Sequence, residues 1–150
     1  MTIENIISLG QIVTQARIKG AFIGFNNKAL FPLSNGQYWI QKRYRYWYHY
    51  SYMPHITIYI LDGSYFLTIN NSSEFIEVIK VTDVQETTIV NEFKGWSGDA
   101  IFEMSNGQKW KQNEYEYNYF YCYRPEAIIY YALGDYRMLV DGNTISVKRI

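Results

Sequence analysis

Ser34–Pro54 reads SNGQYWIQKRYRYWYHYSYMP, and Ser105–Pro125 reads SNGQKWKQNEYEYNYFYCYRP. The two stretches lie 71 residues apart and share the turn, the tryptophan, a glutamine and five tyrosines at every second position. An Asn-Gly turn followed by strict alternation is the signature of a β-hairpin running into a long strand. A duplicated hairpin of this kind predicts an all-β protein built from two copies of one unit.

The repeat extends in both directions. Pairing Phe22–Asn71 with Phe93–Gly142 requires no gap, and 20 of the 50 pairs are identical. Roughly three or four identities would arise by chance, so the duplication is genuine. Gly24, Phe31, Trp39, Gln41, Pro54, Gly63 and Tyr65 recur as Gly95, Phe102, Trp110, Gln112, Pro125, Gly134 and Tyr136. IEVIK (76–80) matches ISVKR (145–149) once two residues are skipped, so each unit ends in a strand.

Alternation and turn residues predict extended segments near 12–25, 28–33, 38–52, 55–61, 64–69 and 75–81. Their equivalents lie near 84–96, 99–104, 109–123, 126–132, 135–140 and 144–149. Asn35-Gly36, Asn106-Gly107 and Asp62-Gly63 are hairpin turns, because these residues accept positive φ. A three-residue loop over Ser34–Gly36 pairs Phe31 with Trp39, whereas a two-residue loop would put them on opposite faces. Both copies keep the Phe and the Trp, so Phe31/Trp39 and Phe102/Trp110 are expected core pairs. Thr2 could cap a short helix through Ile3, Ile6 and Ile7 that ends at Gly10, or the same residues could form an edge strand.

The chain has 150 residues, 19% aromatic, 19% charged and a formal net charge of zero. No basic excess draws it to phosphate backbones or anionic membranes, so nucleic acid is an unfavoured partner and no membrane is expected. One cysteine, Cys122, excludes an intrachain disulfide and a cysteine-based zinc site. MTIENIISLGQIV has no basic n-region and only short apolar runs, so a cytoplasmic protein is expected. At about 60–70 residues each unit would be marginal alone, which predicts two small pseudosymmetric barrels, 1–82 and 83–150, sharing one core in one compact domain.

On a strand, Tyr44, Tyr46, Tyr48, Tyr50 and Tyr52 share one face, and Arg43, Arg45, Trp47, His49 and Ser51 share the other. Trp39 has the wrong parity to join the tyrosines. A bulge near 40–43 would bring the comb onto the Trp39 face. Such a comb is roughly 26 Å long, and five exposed rings would exceed the few hundred Å² of apolar patch usual on monomers. The combs are therefore expected to be covered, at a seam in the barrel, by the other repeat, by another subunit or by a ligand.

Arg43 and Arg45 become Glu114 and Glu116 in the second copy. Residues 1–82 carry seven basic and four acidic groups (+3), and 83–150 carry seven and ten (−3). Pairing of Arg43 and Arg45 with Glu114 and Glu116 across a pseudo-twofold axis follows as one expectation, and unrelated solvated charges as the other.

No phosphate loop, HExxH, CxxC or nucleophile elbow is present, and no catalytic residue, metal ligand or cofactor is assigned. His49 and His55 align with Phe120 and Glu126, outside the shared skeleton. Glu114 and Glu116, about 7 Å apart on one strand face, resemble a glycosidase pair only in spacing. Gln41 and Gln112 read as buried residues bonded to backbone. The remaining chemistry is adhesive. Arg43, Arg45, Tyr46, Trp47, Tyr48 and His49, with Tyr117 and Tyr119, form a ligand or partner surface suited to stacking on sugars, bases or peptides. A nonenzymatic module with a protein partner or self-association is the leading reading. A small-molecule ligand platform is second, and an enzyme using His49, His55 or Cys122 third.

FKGWSGDAIFEMSNGQKWKQ (93–112), followed by the comb, RPE (124–126) and IIYY, resembles a group of bacterial tandem-repeat proteins. Their pattern is GWxGxxxFxLxNGQxWxQ with alternating Tyr/His segments, of the kind carried in integron-type mobile gene cassettes. The second unit matches throughout, whereas the first has GFNNKALFPL, with Phe25 in the place of Trp96. The resemblance implies a small, SH3-like β-barrel repeat and brings no activity or cofactor with it.

Overall fold

The computed structural model describes all 150 residues. Helix α1 (Ile3–Leu9) is followed by β1 (Gln11–Arg17), β2 (Ala21–Phe25), β3 (Leu30–Pro32), β4 (Tyr38–Gln41), β5 (Trp47–Tyr52), β6 (His55–Leu61), β7 (Ser64–Ile69) and β8 (Phe75–Val81). The second series is β9 (Val84–Thr88), β10 (Phe93–Ser97), β11 (Ile101–Glu103), β12 (Lys109–Gln112), β13 (Tyr117–Cys122), β14 (Glu126–Ala132), β15 (Asp135–Val140) and β16 (Asn143–Arg149). The fold is all-β, and the chain divides into two compact units, Met1–Val81 and Thr82–Ile150.

The first unit contains an antiparallel six-stranded sheet, ordered β1-β6-β7-β8-β4-β3, and a two-stranded ribbon, β2-β5. The second repeats this plan with β9-β14-β15-β16-β12-β11 and β10-β13. No ladder closes either sheet into a barrel. The outer strands of each approach one another only at single bridges, Ile18 with Leu33 and Ile89 with Met104.

Local signals settle most elements. Thr2 caps α1 by accepting from the Asn5 N–H at 3.2 Å, and Gly10 closes it with a bond to the Ile6 carbonyl. Phe31 pairs with Trp39 and Phe102 with Trp110, the register of a three-residue loop. Gly36 and Gly107 supply its left-handed residue at φ of 86° and 88°. Asn35 Oδ1 accepts from the Gln37 N–H, and Gln37 Oε1 accepts from the Trp39 indole at 3.2 Å. Asn106, Gln108 and Trp110 repeat these contacts, so each retained residue of the turn has a bond to make.

One expectation is corrected here. The segments 12–25 and 38–52, and their counterparts 84–96 and 109–123, are each two strands rather than one, because the chain leaves the large sheet midway and joins the ribbon. Each unit has a hydrophobic cluster of its own. Phe22, Phe25, Phe31, Trp39, Ile58 and Leu67 belong to the first, and Phe93, Trp96, Phe102, Trp110, Ile129 and Met138 to the second. Each unit encloses its own apolar residues between its sheet and its ribbon.

Candidate functional site

The ribbon strand carrying each comb is positioned by a buried glutamine. Gln41 is fully buried at the end of β4. Its Oε1 accepts from the Asn26 N–H at 2.9 Å, and its Nε2 donates to the carbonyls of Asn26, Arg43 and Arg45. Gln112 does the same work: Oε1 accepts from the N–H groups of Ser97 and Gly98, and Nε2 donates to the carbonyls of Glu114 and Glu116. Residues 42–46 and 113–116 run between sheets outside any ladder, with main-chain bonds only from the N–H groups of Lys42, Arg45 and Asn113, and a buried carbonyl left unbonded costs about 1–3 kcal/mol. One amide side chain therefore supplies donors to the carbonyls of each crossing.

Beyond the crossing, β5 pairs with β2 and β13 with β10. Both pairings shift register beside a glycine, Gly24 or Gly95, with φ of 100° and 88°. A Cβ on Gly24 would lie 1.9 Å from the Trp47 carbonyl oxygen, and one on Gly95 2.1 Å from that of Asn118. Only glycine permits this approach.

The crossing decides which face each residue takes. Trp47 turns inward and packs on Phe25 and Phe22, with ring centroids 5.2 and 6.1 Å away. Phe120 and Cys122 pack against the second core, Phe120 at 5.1 Å from Trp96 and 5.2 Å from Phe93. All ten comb tyrosines therefore face outward, between 57% exposed (Tyr121) and 86% exposed (Tyr115). The expectation of covered combs is overturned. Of the residues between the teeth, Trp47, Phe120 and Cys122 pack against the cores, an apolar set legible in the sequence, whereas His49, Glu116 and Asn118 are exposed. The bend near 40–43 exists, but it turns the comb away from Trp39 rather than toward it.

The residues assigned to a ligand or partner surface are consequently not on one face. Tyr46, Tyr48, Tyr117 and Tyr119 are exposed. Trp47 is half-buried and lies under the imidazole of His49, stacked at 4.9 Å with an interplanar angle of 4°. The Arg43 guanidinium lies 3.0 Å from Glu77, and that of Arg45 lies 2.5 Å from Glu74 and over the Phe25 and Phe75 rings. Glu114 lies 3.6 Å from the buried Arg137. Arg43, Arg45 and Glu114 thus each have an oppositely charged neighbour inside their own unit, residues with no place in the repeat skeleton.

Electrostatics follow these contacts. Burial alone would raise the Glu77 carboxyl, but hydrogen bonds from Arg43 and Lys42, with their charges, hold it below the ordinary carboxylate value. Glu116 is pushed up, first by burial and then by Glu114, against the opposing charge of Arg137. Burial, with Asp141, pushes the Cys122 thiol up, so it is poorly ionised near neutrality. Tyr130 is buried, and burial pushes its phenol up to about 12 despite Arg137 nearby.

His55 opens β6 beside a polar depression of about 380 Å³ lined by Gln15, Ala16, Arg17, Ser34, His55, Ile56 and Asn70. The Arg17 guanidinium there donates to the Met53 carbonyl at 2.9 Å. No group of three or more His, Cys, Asp or Glu side chains is placed to hold a metal ion. No helix is long and apolar enough to cross a membrane. No family model, no curated protein and no solved structure matches the chain.

Proposed function

We propose that this chain is a nonenzymatic binding module whose working surfaces are the two tyrosine combs. One observation carries the reading. All five outward teeth are identical between the repeats, whereas the four residues between them differ at every position: Arg45/Glu116, Trp47/Asn118, His49/Phe120 and Ser51/Cys122. Inward residues normally change least, because packing constrains them. Here every exposed tooth was kept while the residues between, half-buried or exposed, all changed, so a demand from outside the fold best accounts for the tyrosines. A tyrosine offers a ring face for stacking and a hydroxyl for hydrogen bonding at little entropic cost, the chemistry of adhesive protein surfaces.

A platform for carbohydrate or small-molecule ligands is the second reading, supported by the same open rings. In finer detail the units are read as partly closed SH3-like barrels, on the strength of the two bridges between outer strands. A cytoplasmic setting and kinship with cassette-borne repeat proteins complete the proposal, the latter resting on the repeat motif.

The test removes rings without removing strand propensity. Tyr46, Tyr48 and Tyr50, or Tyr117, Tyr119 and Tyr121, are changed to Thr. Each triple variant is expected to keep its melting temperature within about 2 °C. Wild type and variants are then screened against extended peptides rich in alternating aromatics, oligosaccharides and single-stranded oligonucleotides, and by light scattering for self-association. Binding that disappears with the rings supports the reading. A wild-type chain that binds none of these, itself included, or a triple variant that unfolds, sinks it.

A further inference from the structure

The polar depression between β1 and β6 of the first unit has a volume of about 380 Å³, within the roughly 300–1,000 Å³ of small-molecule sites. Its hydrogen-bonding groups are committed in one sense. Ser34 Oγ accepts from the Arg17 N–H at 3.1 Å, which leaves its hydroxyl hydrogen to donate. Asn70 Oδ1 accepts from the Thr57 hydroxyl at 3.1 Å, which leaves its amide nitrogen to donate. Arg17 Nε donates to the Met53 carbonyl at 2.9 Å, a bond that steadies the guanidinium and leaves its terminal nitrogens without a protein acceptor. The His55 imidazole keeps a ring N–H in either protonation state.

Acceptors are thus used within the protein while donors are left over. No carboxylate lines the depression, and Arg17 brings a positive charge to it. A guanidinium held by its Nε still offers two terminal nitrogens, which match two oxygens of a carboxylate or phosphate.

The second unit has the same backbone frame at this place. Thr88 pairs with Glu126 as Arg17 pairs with His55. The Ser105 N–H donates to the Thr88 carbonyl as the Ser34 N–H does to that of Arg17, each at 2.8 Å. The side chains there have the opposite character. Thr88, Glu126 and Asp141 stand in the places of Arg17, His55 and Asn70, and the Ser105 hydroxyl is engaged by that of Thr87 at 3.3 Å. The frame therefore folds with neutral and acidic residues at these points, and the basic donor set is not a demand of packing.

We infer that the depression built on Arg17, Ser34, His55 and Asn70 is a binding site for a small organic anion with a carboxylate or phosphate head. No tooth of either comb lines it, so the inference stands apart from the reading of the combs.

Titration of the full chain with citrate, glycerol phosphate and neutral glycerol, at fixed ionic strength and followed by amide NMR shifts, tests it. Saturation by at least one of the two anions is expected, with a Kd of about 1 mM or below, and none by glycerol. The largest shifts are expected at Arg17, Ser34, His55 and Asn70. Saturation by citrate alone assigns the site to carboxylates, and by glycerol phosphate alone to phosphate esters. His55→Glu keeps the Arg17–Met53 bond and installs the residue the second unit carries, and it should weaken binding at least about tenfold. Arg17→Thr with His55→Glu and Asn70→Asp should abolish binding, and the single variant decides if this triple variant fails to fold. No saturation by either anion below about 10 mM, equal shifts with glycerol, largest shifts at other residues, or an unchanged Kd in His55→Glu overturns the inference. The comb reading has its own probes and variants, and it stands or falls separately.

Discussion

The two repeats solve one packing problem with different residues. In the first unit a tryptophan on the ribbon strand, Trp47, fills the space over Phe25. In the second the tryptophan has moved to the neighbouring strand as Trp96, and Phe120 fills the complementary space while Asn118 stands in the place of Trp47. Charge was rearranged in the same compensated way. Arg43 with Glu77 in the first unit becomes Glu114 near Arg137 in the second, where Ser146 stands in the place of Glu77 and Arg137 in that of Phe66. Such trades show that volume and charge balance within a unit can be kept while individual residues around the ribbon change. What did not trade includes the core residues Phe22, Phe31 and Trp39 (Phe93, Phe102 and Trp110 in the second unit), the glutamine clamp, the bulge glycine and the outward rings.

The clamp should give the largest effect and should not distinguish the repeats. Gln41→Leu and Gln112→Leu each leave at least three backbone groups unbonded, an expected loss of about 3 kcal/mol or more by urea denaturation. A large disparity between the two would mean that the crossings are not equivalent. Trp47→Asn alone is expected to cost about 2–3 kcal/mol. Adding Phe25→Trp and His49→Phe rebuilds the arrangement of the second unit and should recover most of that loss, a non-additivity of at least about 1 kcal/mol.

A smaller effect lies at the hairpins. Asp62-Gly63 turns with φ of 51° and 78°, and Leu133-Gly134 with 55° and 79°. Aspartate tolerates the left-handed conformation better than leucine does, so Leu133→Asp should stabilise the second unit by up to about 1 kcal/mol in thermal unfolding. The smallest effect is a difference in acid response. The folded value for Glu77 is lowered, so its stabilisation is present above the unfolded value and is lost as pH falls through the folded one. The folded value for Glu116 is raised, so its penalty is present at neutral pH and is relieved as pH falls through that higher value. Hydrogen exchange resolved by strand should show the first unit weakening toward acid more steeply than the second, and Glu77→Gln should flatten that difference.

Features specified by neighbours in the chain were legible in the sequence. The Thr2 cap, the three-residue loops and the strands after Pro54 and Pro125 all rest on local dihedral preferences, and the structure has them. The division of 38–52 and 109–123 into two strands was hidden, because Gln41 and Gln112 act through bonds to residues 26 and 97–98, respectively, that no periodicity displays. The parity of Trp39 and Trp110 carries through to Trp47 and Phe120, so the bulge expected near 40–43 is what reversed the assignment of faces. Phe120 and Cys122, two residues apart, form an apolar stripe that by itself places the second comb outward. The partners Glu74, Glu77 and Arg137 lie 29, 34 and 23 residues from Arg45, Arg43 and Glu114 along the chain, on strands or turns brought near only by the fold.

The glutamine clamp recognises main-chain atoms alone. It holds the ribbon strand in position whatever letters that strand carries, so the frame and its lettering can evolve independently. The protein is thus a ready display scaffold: a different set of outward residues could be written onto residues 44–52 or 115–123 without renegotiating the fold beneath.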